Sequence, residues 1–290
     1  LTGSDNTNSA LLKQIDGRFD YSGKLSAGAK GYDLNLDLKI DPMSSQLPAP
    51  FNKKAGQSMS AQFLLSGTNK DTTFEHTGYL KIGKLLEIKF AANQQQDLRV
   101  AYGINTVAML PTEGTAANLV FDSIDLDAWQ KWSDKNLNEG SNNKSDNKTI
   151  VDSITARFNQ ARFYDQDLKN ITLTASHVKD LWQANITSSM ATGVIQWRAA
   201  QIGLPQGKLT ANLKRLVIEN DSASDTLAKE LNNRIQKIPA LDITADELIF
   251  NEKPFGKMEL IASNDKNDWK IDKFTLKTRE AQANGTGKWV

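Results

Sequence analysis

From Tyr32 to Ile40 the chain reads YDLNLDLKI. Leu34, Leu36 and Leu38 occupy every second position, and Asp33, Asn35, Asp37 and Lys39 fall between them. Side chains of a strand point alternately to opposite faces, so this run makes a strand with one apolar face and one polar face. The same beat recurs in KNITLTAS, where Ile171, Leu173 and Ala175 share a face. It recurs in GKLTANLKRLVIEN, where Leu209, Ala211 and Leu213 share a face before the parity shifts to Leu216 and Ile218, as a β-bulge would shift it. GKMELIAS sets Met258, Leu260 and Ala262 in alternation, and DWKIDKFTLKT adds Trp269 and Ile271, then Phe274 and Leu276. Gly, Asn and Asp punctuate these runs. The pattern predicts half-covered antiparallel strands joined by turns. A sheet with one apolar face needs a cover. The alternation leaves three covers open: closure into a barrel or sandwich, packed helices, or a bound lipid chain.

Two stretches depart from the beat. SIDLDAWQKWSDKNL can open a short helix at an Asp or Ser cap. SASDTLAKELNNRIQKIP places Leu227, Leu231 and Ile235 four residues apart, with Ser222 or Ser224 before them and Pro239 beyond, which predicts a helix over about 224–236. The Pro-rich PMSSQLPAPFNKKAGQS (42–58) reads as a long loop. The segment 134–150 is nearly devoid of apolar residues and rich in Asn, Ser, Lys and Asp, which predicts a linker or loop over 134–149. The expected organisation is therefore a β segment over 1–133, this linker, and a β-meander over 150–290.

The last part carries an internal echo. FYDQDLKNITLTASHVKDLW (163–182) lies 87 residues before FNEKPFGKMELIASNDKNDW (250–269), since 250 − 163 = 87. Phe163 then aligns with Phe250, Ile171 with Met258, Leu173 with Leu260, Ala175 with Ala262 and Trp182 with Trp269. Ile-Thr-Ala precedes both copies, and a Gly-plus-Trp strand follows both. Two related units are expected, over about 154–199 and 243–290.

Composition removes several functions. The formal net charge is +1, with the basic residues spread evenly, so nothing points to nucleic acid. There is no cysteine, which excludes thiol catalysis, disulfides and Cys-based metal sites. His76 and His177 are the only histidines, about a hundred residues apart, and read as surface or packing residues. No Gly-rich phosphate loop, His-Glu metal motif or Gly-x-Ser-x-Gly elbow occurs. Asp125 and Asp127 could pair as glycosidase carboxylates, but they read as a polar strand edge or helix cap. No catalytic residue, cofactor or metal is expected. The six Trp read as strand-end packing or membrane-interface groups. No apolar run approaches the roughly 18 residues of a membrane span, and no signal peptide is recognisable. Starting at Leu1 in a polar stretch, the chain reads as a piece of something longer.

The order of VFDSIDLDAWQKW, WQANITSSMATGVIQWRA, GKLTANLKRLVIEN and IPALDITADELIFNEKPFGKMELIAS, followed by DWKIDKFTLKT and AQANGTGKWV, resembles the C-terminal part of the YhdP-type, AsmA-like family of Gram-negative bacteria. The resemblance covers roughly residues 57–290, while the residues before them share only strand character. It implies a mainly β fold: an elongated antiparallel meander curled into an open groove, gutter- or taco-like, with one or two short helices. It implies a segment of a bridge-like lipid transfer protein that conducts phospholipid between inner and outer membranes, and it supplies no catalytic residues. The expected location is the periplasm, within a protein anchored in the inner membrane by parts outside this chain. The expected partners are phospholipid acyl chains, the two membranes through those other parts, and periplasmic or membrane proteins. Under this reading the groove is lined by Leu34, Leu36, Leu38, Ile171, Leu173, Ala175, Leu209 and Leu213, and by Met258, Leu260, Ala262, Phe274 and Leu276. A different class of function stays open beside it: a structural or adhesive β-module that binds protein partners by strand addition.

Overall fold

The computed structural model describes residues 10–70, 73–94, 97–137, 151–163, 166–219, 238–265 and 268–289. The expected helix over 224–236 and most of the expected linker, 138–149, lie outside these; residues 134–137 end a helix. The chain divides into two units, Leu1–Ala156 and Arg157–Val290.

The first unit carries β1 (Ile15–Asp16), β2 (Asp20–Gly28), β3 (Gly31–Lys39), β4 (Ser44–Ser45), β5 (Ser60–Lys70), β6 (Thr73–Ile82), β7 (Leu86–Ala92), β8 (Leu98–Ile104) and β9 (Thr115–Asp125). The helix α1 (Leu126–Leu137) follows. Its sheet runs in the order β2-β3-β5-β6-β7-β8-β9, and β1 pairs separately with β4. The second unit carries β10 (Ser153–Phe163), inside which the unit boundary falls, then β11 (Gln166–Val178), β12 (Leu181–Thr187), β13 (Ala191–Arg198) and β14 (Lys208–Ile218). It ends with β15 (Ala240–Phe250), β16 (Lys253–Asp265), β17 (Asp268–Lys277) and β18 (Gln282–Trp289), and all nine follow one another in the sheet. The strand order is linear in each unit, so neither sheet closes into a barrel.

The expected meander is present, with two steps that alternation does not foresee. β8 pairs β9 in parallel, and β14 pairs β15 in parallel. A parallel neighbour needs a crossover instead of a hairpin. The first crossover is 105–114, which returns over the polar side of the sheet. There Ala101 and Ala108 are buried, and a side chain at Gly103 would strike the backbone of Thr106 and Ala108. The parity shift read in β14 is a register shift: Leu213 pairs with Gly193, but Arg215 pairs with Thr192.

The bounds of β10 and β11 recur in β15 and β16 at a constant spacing of 87, from 153 to 240, 163 to 250, 166 to 253 and 178 to 265.

Burial is unusual for a chain of 290 residues. The buried apolar set is dominated by alanines such as Ala91, Ala101, Ala156 and Ala161, and among the described residues no large side chain is fully buried. Two-layer domains bury Leu, Ile and Phe between their layers. Here the larger buried side chains, such as Phe121, Leu248 and Met258, keep 5–7% exposure, and many other large apolar side chains are half-buried or exposed.

Candidate functional site

Residues paired across neighbouring strands lie on the same face of the sheet. The register therefore shows which side chains share a face. In the second unit one row runs Ala175, Ala184, Ile195, Ala211, Ile243, Leu260 and Phe274 across seven strands. Beside it runs Leu173, Ile186, Gly193, Leu213, Ala245, Met258 and Leu276. A third row runs His177, Trp182, Trp197, Leu209, Leu241, Ala262 and Ile271. Ile171 extends the same face two residues before Leu173 on β11. All ten expected groove residues of this unit thus lie on one face. The register shift between Ile261 and Ala262 explains how Ile271 and Phe274 share a face despite their odd spacing.

The opposite face is polar. One of its rows is Thr174, Asn185, Val194, Asn212, Thr244, Glu259, Thr275 and Asn284. Thr244 Oγ1 donates to Asn212 Oδ1 at 3.0 Å, and Lys273 Nζ reaches Glu259 Oε1 at 2.7 Å. Asp272, in the register shift of β17, accepts from Ser263 and from Lys270, and these hydrogen bonds hold its carboxyl below the usual aspartate range.

On the apolar face Ala211, Leu213, Ala245, Leu248 and Met258 form a buried cluster, with Leu260, Phe274 and Leu276 half-buried against it. Leu173 and Leu209 are half-buried as well, while Ile171, Ala175 and Ala262 are buried. The face therefore packs along its rows and leaves some of its large side chains, such as Leu173, Leu209, Leu260, Phe274 and Leu276, half-exposed.

The first unit repeats the design. Leu34 pairs with Leu25 and Leu65, Leu36 with Gly23 and Phe63, and Leu38 with Tyr21 and Ala61. The rows continue through Leu80 and Ile88 to Tyr102, and through Ile82 and Leu86 to Ile104. All three leucines are half-buried, and at the β2 edge Tyr21 and Leu25 are 70% and 71% exposed.

One strand end of this face is covered, and sequence reading missed the cover. The loop 40–59 folds back beside the row Leu38, Ala61, Ile82 and Leu86, and together they wall a half-open cavity of about 500 Å³. Met43, Leu47, Phe51 and Trp129 form its other walls, with Ile15 and Phe19 beside them. Lys53 holds the loop: it is 9% exposed, and its Nζ donates to the carbonyls of Asp41 (2.9 Å), Met43 (2.8 Å) and Lys54 (3.3 Å). Met59 N donates to Asp41 Oδ1 at 2.6 Å. Helix α1 clamps the loop from outside, where Trp129 Nε1 donates to the Ala49 carbonyl at 3.0 Å and the Trp129 ring meets Phe51 edge-on at 5.7 Å. The only sequence trace of this cover is apolar residues set in a Pro-rich loop and the Trp129/Trp132 pair on one helix face.

The residues weighed for chemistry have structural partners. Asp125 Oδ1 accepts from Ala128 N at 2.8 Å, which is N-cap geometry, so the Asp125/Asp127 pair starts a helix. His76 accepts or donates one hydrogen bond with Tyr32 (2.9 Å) and packs against Phe74, and His177 lies against Trp182. No group of three or more His, Cys, Asp or Glu side chains could hold a metal ion among the described residues. No helix among them is long and apolar enough to cross a membrane.

A family model described as YhdP protein matches residues 4–290. No curated protein and no solved structure matches the chain.

Proposed function

Because the chain belongs to the YhdP protein family, AsmA-like proteins that move lipid and are not enzymes, we propose that its apolar faces carry phospholipid acyl chains between the inner and outer membranes and so support outer-membrane homeostasis. The chain works in the periplasm, as part of an inner-membrane-anchored bridge. The observation that supports this most is the combination of aligned apolar rows with half-exposed large side chains and, among the described residues, no fully buried one. An acyl chain covers such a face at about 0.8 kcal/mol per buried methylene. Repeated similar contacts along rows give firm holding without one deep site, which suits passage better than storage.

The 87-residue recurrence of strand bounds supports reading about 154–199 and 243–290 as two copies of one lipid-bearing unit. The proposed groove-lining residues are the thirteen expected from the sequence, from Leu34 to Leu276, each of which lies on one of these apolar faces.

The experiment uses parity, because one step along a strand changes the face. A photo-crosslinking side chain at Leu260 or Leu173 captures phospholipid, and the same group at Glu259 or Thr172 does not. Equal capture at both parities would defeat the groove reading.

One observation favours a second reading, strand addition by a protein partner. β2 bonds only to β3 in its sheet, and all nine of its residues are exposed. Phospholipid recovered from a denaturing extract of the purified protein supports the first reading alone.

A further inference from the structure

The face of the first unit is open along most of its length, yet at one strand end it is roofed. Roofing costs chain entropy and a buried ammonium, so the roof is worth explaining. The cavity beneath it holds about 500 Å³, within the roughly 300–1,000 Å³ of a site for one small ligand. Its floor is the end row of the apolar face, so the cavity and the face are one surface. The residues around it are almost all apolar. The exceptions are Ser44, Ser45, Asn52 and Lys53. Lys53 has its three donor positions directed at three carbonyls, which leaves it none for an anion. Sites for compact polar ligands keep a few placed polar groups to orient them, and water in a cavity needs two to four polar partners. Plain hydrocarbon needs neither. Ile15 and Phe19 also line the cavity, at 40% and 48% exposed.

We propose that this cavity seats one acyl chain of a phospholipid whose other chain lies on the open apolar face. The proposal rests on the lipid-carrying function above and adds a fixed seat to it. With one chain under the roof and one outside, the lipid is held at a defined position at the strand end. The roof is pinned by Lys53 and by Trp129, so the seat is preformed.

The test is photolabelling with vesicles of phosphatidylcholine that carries a diazirine on one acyl chain, followed by peptide mapping of the whole chain. The expected labels fall on Met43, Leu47 or Leu86. In Leu47→Trp and Met43→Trp, whose larger side chains fill the cavity from the roof, labelling of Leu86 falls about tenfold, the equivalent of two lost methylene contacts. Labelling at Leu173 and Leu260 stays unchanged. Thermal melting shows whether each variant remains folded, and the wild-type map stands without them. Labels on Leu34, Leu173 and Leu260 with none on the cavity walls would overturn the seat and leave the groove standing. Labels on the walls alone would overturn the placement of the second chain on the open face, and with it the proposal. Wall labelling by a diazirine-bearing free fatty acid but not by the phospholipid would overturn the proposal.

Discussion

Glu87 sits on the polar face of the first unit where three neighbours converge on it. Ala108 N donates to one carboxylate oxygen at 3.3 Å, Tyr79 Oη donates to the other at 3.2 Å, and Lys81 lies 3.5 Å away. Burial pushes its carboxyl up, but the Ala108 and Tyr79 hydrogen bonds with Lys81 and Lys89 outweigh it, so the folded pKa lies below the ordinary glutamate value. The Tyr79 hydroxyl is pushed up, by burial first and then by Glu87. A depressed folded pKa contributes stability that is present above the unfolded pKa and disappears as pH falls through the folded one. Glu87→Gln should therefore lower stability by about 1 kcal/mol at neutral pH, the usual net worth of a hydrogen-bonded group of this kind. The gap should close as pH falls below about 4.3, the unperturbed glutamate value, and through the folded pKa. Urea unfolding of both proteins across pH checks this, and a gap that widens in acid would refute the assignment. Little of this arrangement is legible in the sequence, because Ala108 reaches Glu87 only after the 105–114 crossover folds back. Asp125 is the opposite case. Its role as a cap needs only the helix that follows it, and both were readable from SIDLDAWQKW.

At the scale of strands, glycine sets how closely aromatic rings lie on the sheet. Gly78 of β6 is flanked by Leu65 and Phe90, and the Phe90 ring occupies the space where a β-carbon would stand. A side chain there must lift the ring off the sheet. Gly78→Val should cost about 1–3 kcal/mol, as overpacking usually does. Gly287→Val in β18 should cost nothing or stabilise slightly, since nothing lies within 4 Å of its β-carbon position and Val favours strands. Thermal melts of the two variants give the comparison, and equal losses would sink the argument. Strand existence and facing were legible because alternation is a local property of the chain. The bulge in β14 was legible for the same reason, since Leu213 and Leu216 break the beat. The parallel steps were not, because β8–β9 and β14–β15 depend on where a crossover returns. The roof of the first unit was missed because Met43, Leu47 and Phe51, although four residues apart, stand among Pro42, Pro48 and Pro50, which rule out a helix and argued for a loop.

For the molecule as a whole, the deciding quantity is what covers the apolar faces. A protein cover and a lipid cover predict different outcomes for one substitution, Leu260→Asp. Leu260 pairs with Ile243 and Phe274 and is half-buried beside the Leu213–Met258 cluster. In a closed sandwich the new carboxylate would enter a dry core, at a cost of several kcal/mol against a total stability of roughly 5–15 kcal/mol. On a half-exposed face it keeps part of its hydration, and the expected loss is about 1–3 kcal/mol. The protein then remains folded. Its lipid path does not remain intact, because a charge stands where acyl chains pass between Ile243 and Phe274. Folded Leu260→Asp with phospholipid capture lost at Leu260's neighbours, Ile243 and Phe274, is the expected result, read by thermal melting and photo-crosslinking on the same samples. Severe unfolding, together with no lipid ever captured at Leu173 or Leu260 in the parent protein, would instead mean that protein covers these faces, and the conduit would have to be abandoned.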